Sequence, residues 1–303
     1  MDQGKRRNVR PLDINKIHRA LISPDDGTEL KMSGGKLVSG EGREYQIRAS
    51  VPLLLPAEAI SNELHSDYIE HYEIDARTSD YFAEHYCGAT EYDFRRLREY
   101  IISETGNIAG KLILDAGSGG AWVARELCPK GAEVVSFDIS PTNCVKALEH
   151  YPYEDHYAVA GDALKPPFRE SSFDIVISSE VIEHVVDPVL FSQSLFRLVK
   201  PGGILIITTP YREQIHWEVC IHCNKPTPRN AHLHSFDEDV LKSLIKEGAP
   251  AGINIKIFGN KALVKLRTHP LTKRLPFGLW KAIDALSNKI LNMPGHILAR
   301  YEK

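Results

Sequence analysis

Short apolar runs recur through the middle of the chain, and each is followed by a turn and a stretch with helical spacing. Continuous apolar runs of this length are typical of buried parallel strands. The predicted strands are a run that contains Ile113 and Leu114, then Ala132–Phe137, Tyr157–Ala160, Asp174–Ser179, a strand within Leu198–Pro210, Ile253–Phe258 and Ile297–Tyr301. Strands that alternate with helices predict an α/β fold, here with a seven-stranded, mostly parallel sheet flanked by helices.

A glycine-rich loop follows the first of these strands. The strand ends at Asp115, and Gly117, Gly119 and Gly120 come directly after it. Glycines let a ligand approach the backbone closely, and the next helix offers free N–H groups and the positive end of its dipole. The pattern therefore predicts a site for a nucleotide-like cofactor. The dinucleotide fingerprint would need a small third glycine where Trp122 stands, which disfavours a nicotinamide cofactor.

Acidic residues follow the later strands at regular intervals. Asp138 ends the second strand, 23 positions after Asp115, where an acid can accept hydrogen bonds from ribose hydroxyls. Asp162 precedes Ala163 after the third strand and is able to accept a hydrogen bond from the amine of adenine. The segment Glu180–His184 follows the fourth strand, at the sheet edge where α/β proteins bind ligands.

This order of motifs resembles the class I S-adenosylmethionine (SAM) methyltransferases, close to their small-molecule, type 11-like group. The loop has the G-x-G-x-G form of that family, with Ala121 at the last position, and the resemblance covers about Lys111–Pro210. It implies a Rossmann-like fold and methyl transfer from SAM to an O, N or C nucleophile of a small molecule or biosynthetic intermediate. The cofactor-binding residues that the resemblance implies are Asp115, Gly117, Ser118, Gly119, Gly120, Asp138, Ile139, Asp162, Ala163 and Glu180.

A hydroxyl acceptor would require a base. His184 is the first candidate, as base or as orienting group, because it follows the fourth strand and an imidazole titrates near neutrality. Glu183 is the second candidate, and local capping or pairing is the structural alternative for both. Three other functions stay open at this point: an rRNA or tRNA methyltransferase, an NAD-dependent oxidoreductase and a non-catalytic SAM-binding scaffold.

Two segments precede the predicted core. Residues 15–56 resemble a zinc-ribbon module that has lost its cysteines, because Ser23, Asp26 and Ser39 stand at its knuckle positions. A tetrahedral zinc site needs Cys or His ligands, so we expect this module to lack metal; an unrelated β-rich extension is the alternative. Its predicted apolar cluster is Leu30, Leu37, Tyr45, Ile47 and Val51. Residues 57–110 are predicted to form a helical cap, which in the resembled family covers the cofactor.

The predicted core, residues 111–303, carries a loop insertion at 211–235 and a helical insertion at 266–292. The loop insertion contains Cys220, Cys223, His232 and His234. Two thiolates and two imidazoles can form a closed structural zinc site. A substrate-covering loop with ordinary cysteines is the alternative, and His232 or His234 could instead belong to the substrate site.

The composition limits the classes of molecule that the protein is expected to bind. The 37 Lys and Arg against 40 Asp and Glu give a net charge of −3, which disfavours a nucleic-acid partner and leaves a small-molecule substrate as the expected one. Five cysteines are too few and too scattered for a disulfide framework, so we expect a reducing cytoplasm. No apolar run is long enough for a transmembrane helix, and residues 1–20 lack a signal-peptide pattern.

Overall fold

The computed structural model describes residues 17–57, 63–83, 88–221 and 224–303. The chain divides into two compact units, one made of Met1–Phe82 and Ile108–Phe173 and the other of Ala83–Asn107 and Asp174–Lys303. We call them unit 1 and unit 2. Among the described residues, no helix has both the length and the apolar character that crossing a bilayer requires.

Strands and helices alternate through most of the chain. The strands are β1 (Lys31–Ser33), β2 (Lys36–Val38), β3 (Glu44–Tyr45), β4 (Ile47–Arg48), β5 (Val51–Leu54), β6 (Leu112–Ala116), β7 (Glu133–Asp138), β8 (His156–Gly161), β9 (Phe173–Ser179), β10 (Val199–Pro210), β11 (Trp217–Val219), β12 (Pro226–Pro228), β13 (Gly252–Phe258) and β14 (His296–Glu302). The α-helices are α1 (Glu63–Thr78), α2 (Ala89–Thr105), α3 (Trp122–Leu127), α4 (Pro141–His150), α5 (Pro188–Leu198), α6 (Glu238–Ser243), α7 (Lys261–Lys265), α8 (His269–Thr272) and α9 (Phe277–Ile290). The predicted α/β class, with a mostly parallel sheet flanked by helices, is confirmed.

Unit 1 contains a run of strands in the order β6-β7-β8-β5-β4. Strands β6, β7 and β8 are parallel, with Asp115 opposite Ser136 and Asp138 opposite Ala160. Every residue of β8 is buried, as are the last four residues of β6. Parallel strands end at the same edge of a sheet, so Asp115, Asp138 and Asp162 lie along one edge.

The N-terminal segment does not form a separate sheet throughout. Strands β1, β2 and β3 make a small antiparallel sheet, whereas β5 pairs in parallel with β8 and extends the large sheet. The predicted apolar cluster is buried except for Ile47, which is half-buried.

Hydrogen bonds join the residues that stand at the knuckle positions. Ser39 Oγ donates to Asp26 Oδ2 at 2.6 Å, and Ser23 Oγ accepts from the Asp26 amide at 3.3 Å. The hydroxyls of Ser39 and Thr28 lower the pKa of Asp26. A polar network thus links these positions without any cysteine.

Unit 2 contains strands in the order β13-β14-β10-β9. Strand β14 is antiparallel to both of its neighbours, with Ile206 and Asn254 each opposite Arg300. Residues Ile204–Thr209 of β10 are buried. The predicted loop insertion contains the β11–β12 hairpin. The predicted helical insertion contains α8 and α9, and α7 directly precedes it.

One helix start differs from the prediction. The sequence predicts a cap at Ser235, but α6 begins at Glu238 and is capped by Asp237, whose carboxylate accepts hydrogen bonds from the amides of Asp239 and Val240. Ser235 is exposed. Asp is as good a cap as Ser, so the residue type alone could not choose between the two positions.

Candidate functional site

The glycine loop after β6 is folded back onto the end of β7. Gly117 and Gly119 have left-handed φ angles of 78° and 45°, which glycine adopts without steric cost. The amides of Gly117 and Ser118 donate to the carbonyl of Phe137 at 2.8 and 3.1 Å. The Gly119 amide donates to Asp138 Oδ2 at 2.8 Å. The loop and the acid of β7 therefore form one hydrogen-bonded unit.

Gly120 and Ala121 complete the loop. A Cβ on Gly120 would lie 2.3 Å from the carbonyl oxygen of Tyr81, so only glycine fits there. Ala121 is the N-cap of α3 with φ 50° and ψ 40°. It is fully buried and packs in a cluster with Phe82 and Ala147.

Two buried polar atoms near this loop have no partner among the described residues: Asp115 Oδ2 and Ser118 Oγ. Burial raises the pKa of Asp115 well above its usual range, the charge of Asp138 raises it further, and a hydrogen bond from the Val123 amide opposes both. Buried polar atoms are costly when they are left unpaired. The amine and carboxylate of the methionine part of SAM carry the donors and acceptors that these two atoms lack, so the residues fit that group.

Asp138 is held rigidly at the end of β7. Its Oδ1 accepts from the Ser140 amide at 2.9 Å and from Asn143 Nδ2 at 3.4 Å. Burial raises the pKa of Asp138, and the hydrogen bonds from Ser140, Gly119 and Asn143 oppose that rise. A carboxylate offers about four acceptor positions, and the Gly119 amide takes one on Oδ2, so one position on Oδ2 remains for a ribose hydroxyl. Ile139, which follows, is half-buried.

Asp162 follows β8 in a tight turn. Its Oδ1 accepts from the Leu164 amide at 2.8 Å, and the adjacent Ala163 is half-buried. Tyr68 of α1 lies near this carboxylate: burial raises the pKa of the Tyr68 phenol, and the charges of Tyr72, Asp162 and Asp138 raise it further. A phenol from the predicted cap segment thus lies near two of the candidate cofactor carboxylates.

Glu73 is a residue of this region that the sequence did not single out. It projects from α1 and accepts hydrogen bonds from Ser140 Oγ and Thr142 Oγ1, each at 2.6 Å. It also accepts from the Thr142 amide at 3.2 Å, at the N-terminus of α4. Burial alone would raise the pKa of Glu73, but these hydrogen bonds lower it. The partners are 67 and 69 residues away in sequence, so no local pattern could reveal the contact.

In unit 2, the segment after β9 brings two acids together. Glu180 has a left-handed φ of 56°, and its buried Oε1 has no partner among the described residues. Glu183 lies in a short 3-10 turn, Ile182–His184, and its Oε2 accepts from Thr209 Oγ1 at 2.9 Å. Burial raises the pKa of Glu183 well above its usual range, and the charges of Glu180 and Glu213 add to the rise.

The loop insertion adds two histidines to this cluster. The backbone carbonyl of Glu183 accepts from the amides of Leu233 and His234 at 2.7 and 3.3 Å. His232 Nδ1 donates to Glu213 Oε2 at 2.5 Å. The rings of His184 and His232 meet edge to face, with centroids 4.7 Å apart. A histidine that a carboxylate holds through one ring nitrogen has its other nitrogen oriented for chemistry.

The residues that could hold a metal share only His232 with the four predicted zinc ligands. The ligand atoms of Glu183, His184 and His232 all lie within 4.8 Å of one another, and Cys220 and His234 are not in that group. His234 Nε2 is occupied, because it donates to the Val185 carbonyl at 3.0 Å. Cys220 forms no disulfide with a described residue, and Cys223 lies outside the described residues. A Cys-based zinc site therefore has no support in the part of the chain that the structure describes.

A second feature missed from sequence is His296, at the start of β14. Its Nε2 lies 3.1 Å from Asp93 Oδ2 and its Nδ1 lies 3.4 Å from Glu180 Oε2. Burial alone would lower the pKa of His296, but the carboxylates of Glu180 and Asp93 raise it to about 10. The imidazole is therefore protonated at neutral pH and holds Glu180 in its strained backbone conformation.

Solved structures similar to this chain share its fold. A chain from the complex of the Haloferax volcanii Trm112 methyltransferase activator with a methyltransferase has a TM-score of 0.50 and 17% identity, over 78% of this chain and 96% of that one. The [4+2]-cyclase SpnF has a TM-score of 0.51 and 15% identity, over 84% of this chain and 99% of that one. At these identities the likeness shows the fold alone.

Sequence comparisons show the family. A family model described as a methyltransferase domain matches residues 114–207. The ubiquinone biosynthesis O-methyltransferase of Pseudomonas fluorescens (strain SBW25) is 30% identical over 191 residues, which cover 60% of this chain and 79% of that protein. The enzyme of the same name from Pseudomonas putida (strain GB-1) is 28% identical over the same shares. The chain therefore belongs to the SAM-dependent methyltransferases.

Proposed function

We propose that this methyltransferase methylates a hydroxyl oxygen of a small molecule. The observation that carries the proposal is the His232–Glu213 pair beside Glu183 and His184, because an O-methyl acceptor must lose a proton. The relatives named O-methyltransferase support the same acceptor atom. Among the described residues, Cys128, Cys144 and Cys220 form no disulfide, which is consistent with the proposal that the protein acts in a reducing cytoplasm.

The residues proposed for SAM are those of the β6 loop and the two later acids. Asp115 and Ser118 contact the methionine part, Asp138 with Ile139 the ribose, and Asp162 with Ala163 the adenine. When bound, SAM supplies the methyl group and accepts the electron pair of the broken S–C bond. The chain contributes position and electrostatics to this transfer.

His232 is the proposed base. The acceptor O–H gives its proton to His232 Nε2, and Glu213 stabilises the resulting imidazolium through Nδ1. This assignment differs from the first choice made from sequence, His184, whose ring packs against His232 and orients it. Glu183 is a weaker candidate, because burial and the charges of Glu180 and Glu213 raise its pKa and so disfavour the charged form that a base needs.

The strength of the base selects the class of hydroxyl. A phenol with a pKa of about 10 exceeds an ordinary imidazole by about 3.5 units, or about 5 kcal/mol. A hydroxyl as weakly acidic as water, at about 15.7, would require about 12 kcal/mol. An imidazole base therefore suits a phenolic or enolic acceptor better than an aliphatic alcohol.

The test measures formation of S-adenosylhomocysteine with a panel of phenols, catechols, alkyl alcohols and amines. Phenols or catechols should be methylated, and His232→Gln should lower kcat by about 10²- to 10⁴-fold while SAM affinity by calorimetry stays unchanged. Glu213→Gln should cause a smaller loss. If His232→Gln keeps full activity with the preferred acceptor, the base assignment is wrong; if only amines react, hydroxyl methylation is wrong.

A divalent cation is the second candidate for acceptor activation, because the ligand atoms of Glu183, His184 and His232 lie so close together. One carboxylate and two imidazoles suit a transition metal, and such a site keeps open positions for a substrate oxygen. Dialysis against a chelator distinguishes the two candidates. If dialysis abolishes activity and added Mn²⁺ or Zn²⁺ restores it, a cation activates the acceptor. If activity is unchanged after dialysis, His232 acts as the base without a cation.

A further inference from the structure

Helix α9, Phe277–Ile290, carries an exposed apolar stripe that an ordinary surface helix lacks. Leu279, Leu286 and Ile290 are 52, 58 and 72% exposed. They are spaced seven and four residues apart and so lie on one stripe of the helix. Its buried residues are Trp280 and Asp284. A surface helix normally turns its apolar residues toward the core. Helix α9 buries Trp280 but turns this second apolar stripe toward solvent.

Polar contacts fix the helix in that orientation. Asp284 accepts hydrogen bonds from the amides of Gly259 and Asn260 at 3.1 and 2.7 Å. Asn288 Oδ1 accepts from Asn260 Nδ2 at 2.7 Å. On the same side, Lys281 pairs with Glu104 at 3.2 Å. Rotating α9 to bury its leucines would break these bonds, so the outward apolar stripe is a fixed property of the fold.

The same segment concentrates positive charge. Residues Lys261–Pro294 contain seven Lys and Arg against one acid, Asp284, a net of +6, whereas the remainder has 30 against 39, a net of −9. Leu266 and Leu271, in the same segment, are 69 and 79% exposed. The exposed basic residues of the segment are Lys261, Lys265, Arg267, Lys273, Arg274 and Lys289.

We propose that Lys261–Pro294 docks the enzyme on the surface of an anionic phospholipid bilayer. The surface of such a bilayer has two parts, the headgroup phosphates and the boundary of the acyl chains. The segment matches both, because its exposed leucines and isoleucine can enter the acyl boundary while its lysines and arginines bind the phosphates. A second copy of this chain fits less well, since two segments of +6 would face each other. A nucleic acid would use the charge but not the leucine stripe. The proposal does not depend on the acceptor or on the base.

The test is co-sedimentation of the full-length protein with vesicles of phosphatidylcholine, with and without phosphatidylglycerol. The protein should sediment with the anionic vesicles and lose that binding as salt is added, because exposed charges are screened. The triple variant Leu279→Ser, Leu286→Ser, Ile290→Ser should bind at least tenfold more weakly. Lys273→Gln, Arg274→Gln and Lys289→Gln together should abolish the preference for phosphatidylglycerol.

The matched control is Met32→Ser with Leu190→Ser, which removes side chains that are 51 and 40% exposed elsewhere on the chain. It should bind vesicles as the parent protein does. Retained SAM binding by calorimetry and a native circular dichroism spectrum show that each variant is folded. Equal sedimentation with and without phosphatidylglycerol, or parent-like binding by the triple serine variant, overturns the proposal. A vesicle-independent dimer that the serine variant abolishes overturns it in favour of a second copy.

Discussion

At the scale of single residues, Gly120 and Ala121 occupy adjacent positions for different physical reasons. Glycine at 120 is set by the Tyr81 carbonyl, which would lie 2.3 Å from any Cβ. Alanine at 121 holds a left-handed φ of 50°, which costs a residue other than glycine about 1–2 kcal/mol. Its buried methyl contacts and the lower entropy of the unfolded chain recover about the same amount.

This contrast gives a matched pair of variants. Gly120→Ala should lower the free energy of unfolding by about 1–3 kcal/mol, because a backbone oxygen has to move to admit the methyl group. Ala121→Gly should change it by less than about 1 kcal/mol, since the opposing terms nearly cancel. Urea unfolding of both variants measures the difference. Similar losses for the two would mean that the Tyr81 contact does not determine the residue at 120.

His296 predicts a pH dependence of stability. Its folded pKa of about 10 exceeds the usual value of about 6.5, so the folded state binds the proton more tightly. Its contribution is fully present below pH 6.5 and is lost as pH rises through 10. The free energy of unfolding should therefore fall as the pH rises from 6.5 to 10. In the His296→Gln variant, the free energy of unfolding should fall less steeply over the same range. Parallel pH profiles for the two proteins would show that the ion pairs with Asp93 and Glu180 contribute nothing.

At the scale of elements, Glu73 joins α1 to the N-terminus of α4, and Lys146 of α4 donates a second hydrogen bond to the Ala76 carbonyl of α1 at 2.6 Å. Glu73 places a carboxylate at the N-terminus of α4, where the free amides and helix dipole favour negative charge. The same region carries Ser140, whose amide also orients Asp138. Helix α1, which places Tyr68 near the candidate cofactor acids, is therefore hydrogen-bonded to the segment that follows Asp138 at the end of β7.

Glu73→Gln should cost about 1–2 kcal/mol of stability, because charge-assisted hydrogen bonds are replaced by neutral ones. SAM affinity should fall as well, since Ser140 and Asp138 lose a fixed support. Because hydrogen bonds lower the pKa of Glu73, its contribution is present above pH 4.5 and is lost as pH falls through the lowered value. Glu70→Gln, on the exposed side of the same helix, is the control. If both variants unfold alike, the link between α1 and α4 is not stabilising.

Elements of the core could be predicted because their signals are local. The strand that holds Asp138 and the one that begins at Phe173 each follow from a continuous apolar run bounded by turn residues. The pairing of β5 with β8 could not be predicted, because β5 is a short strand and its partner is about a hundred residues away. The cap of α6 was misplaced, since Ser235 and Asp237 are equally good local signals.

The residues of the candidate site could be predicted where they have a local signal. Asp115, Asp138 and Asp162 lie at or just after strand ends, and parallel strands end at the same edge of a sheet. Glu73, Glu213 and His296 lack such a signal, because their roles come from partners that are distant in sequence. His184 and His232 were both recognised as candidates, but only the structure shows that Glu213 holds His232.

At the scale of the whole molecule, charge and chemistry are distributed unevenly along the chain. The candidate SAM residues of the β6 loop, β7 and β8 belong to unit 1, whereas Glu213, His232 and the basic helical segment belong to unit 2. The [4+2]-cyclase among the fold's neighbours shows that a shared fold does not fix the reaction. The proposed acceptor chemistry of this chain therefore depends on side chains of unit 2.

This division predicts that the two activities can be separated by mutation. Asp138→Asn keeps the shape of the side chain but removes its charge, and hydrogen bonds to a charged group contribute about 1.5–3 kcal/mol. SAM affinity by calorimetry should therefore fall by about 10- to 100-fold, and the stabilisation of the protein by saturating SAM should fall with it. His232→Gln should leave SAM affinity within about twofold of the parent while product formation is lost. A large loss of SAM affinity in His232→Gln would place His232 among the cofactor residues instead, and an unchanged affinity in Asp138→Asn would remove Asp138 from them.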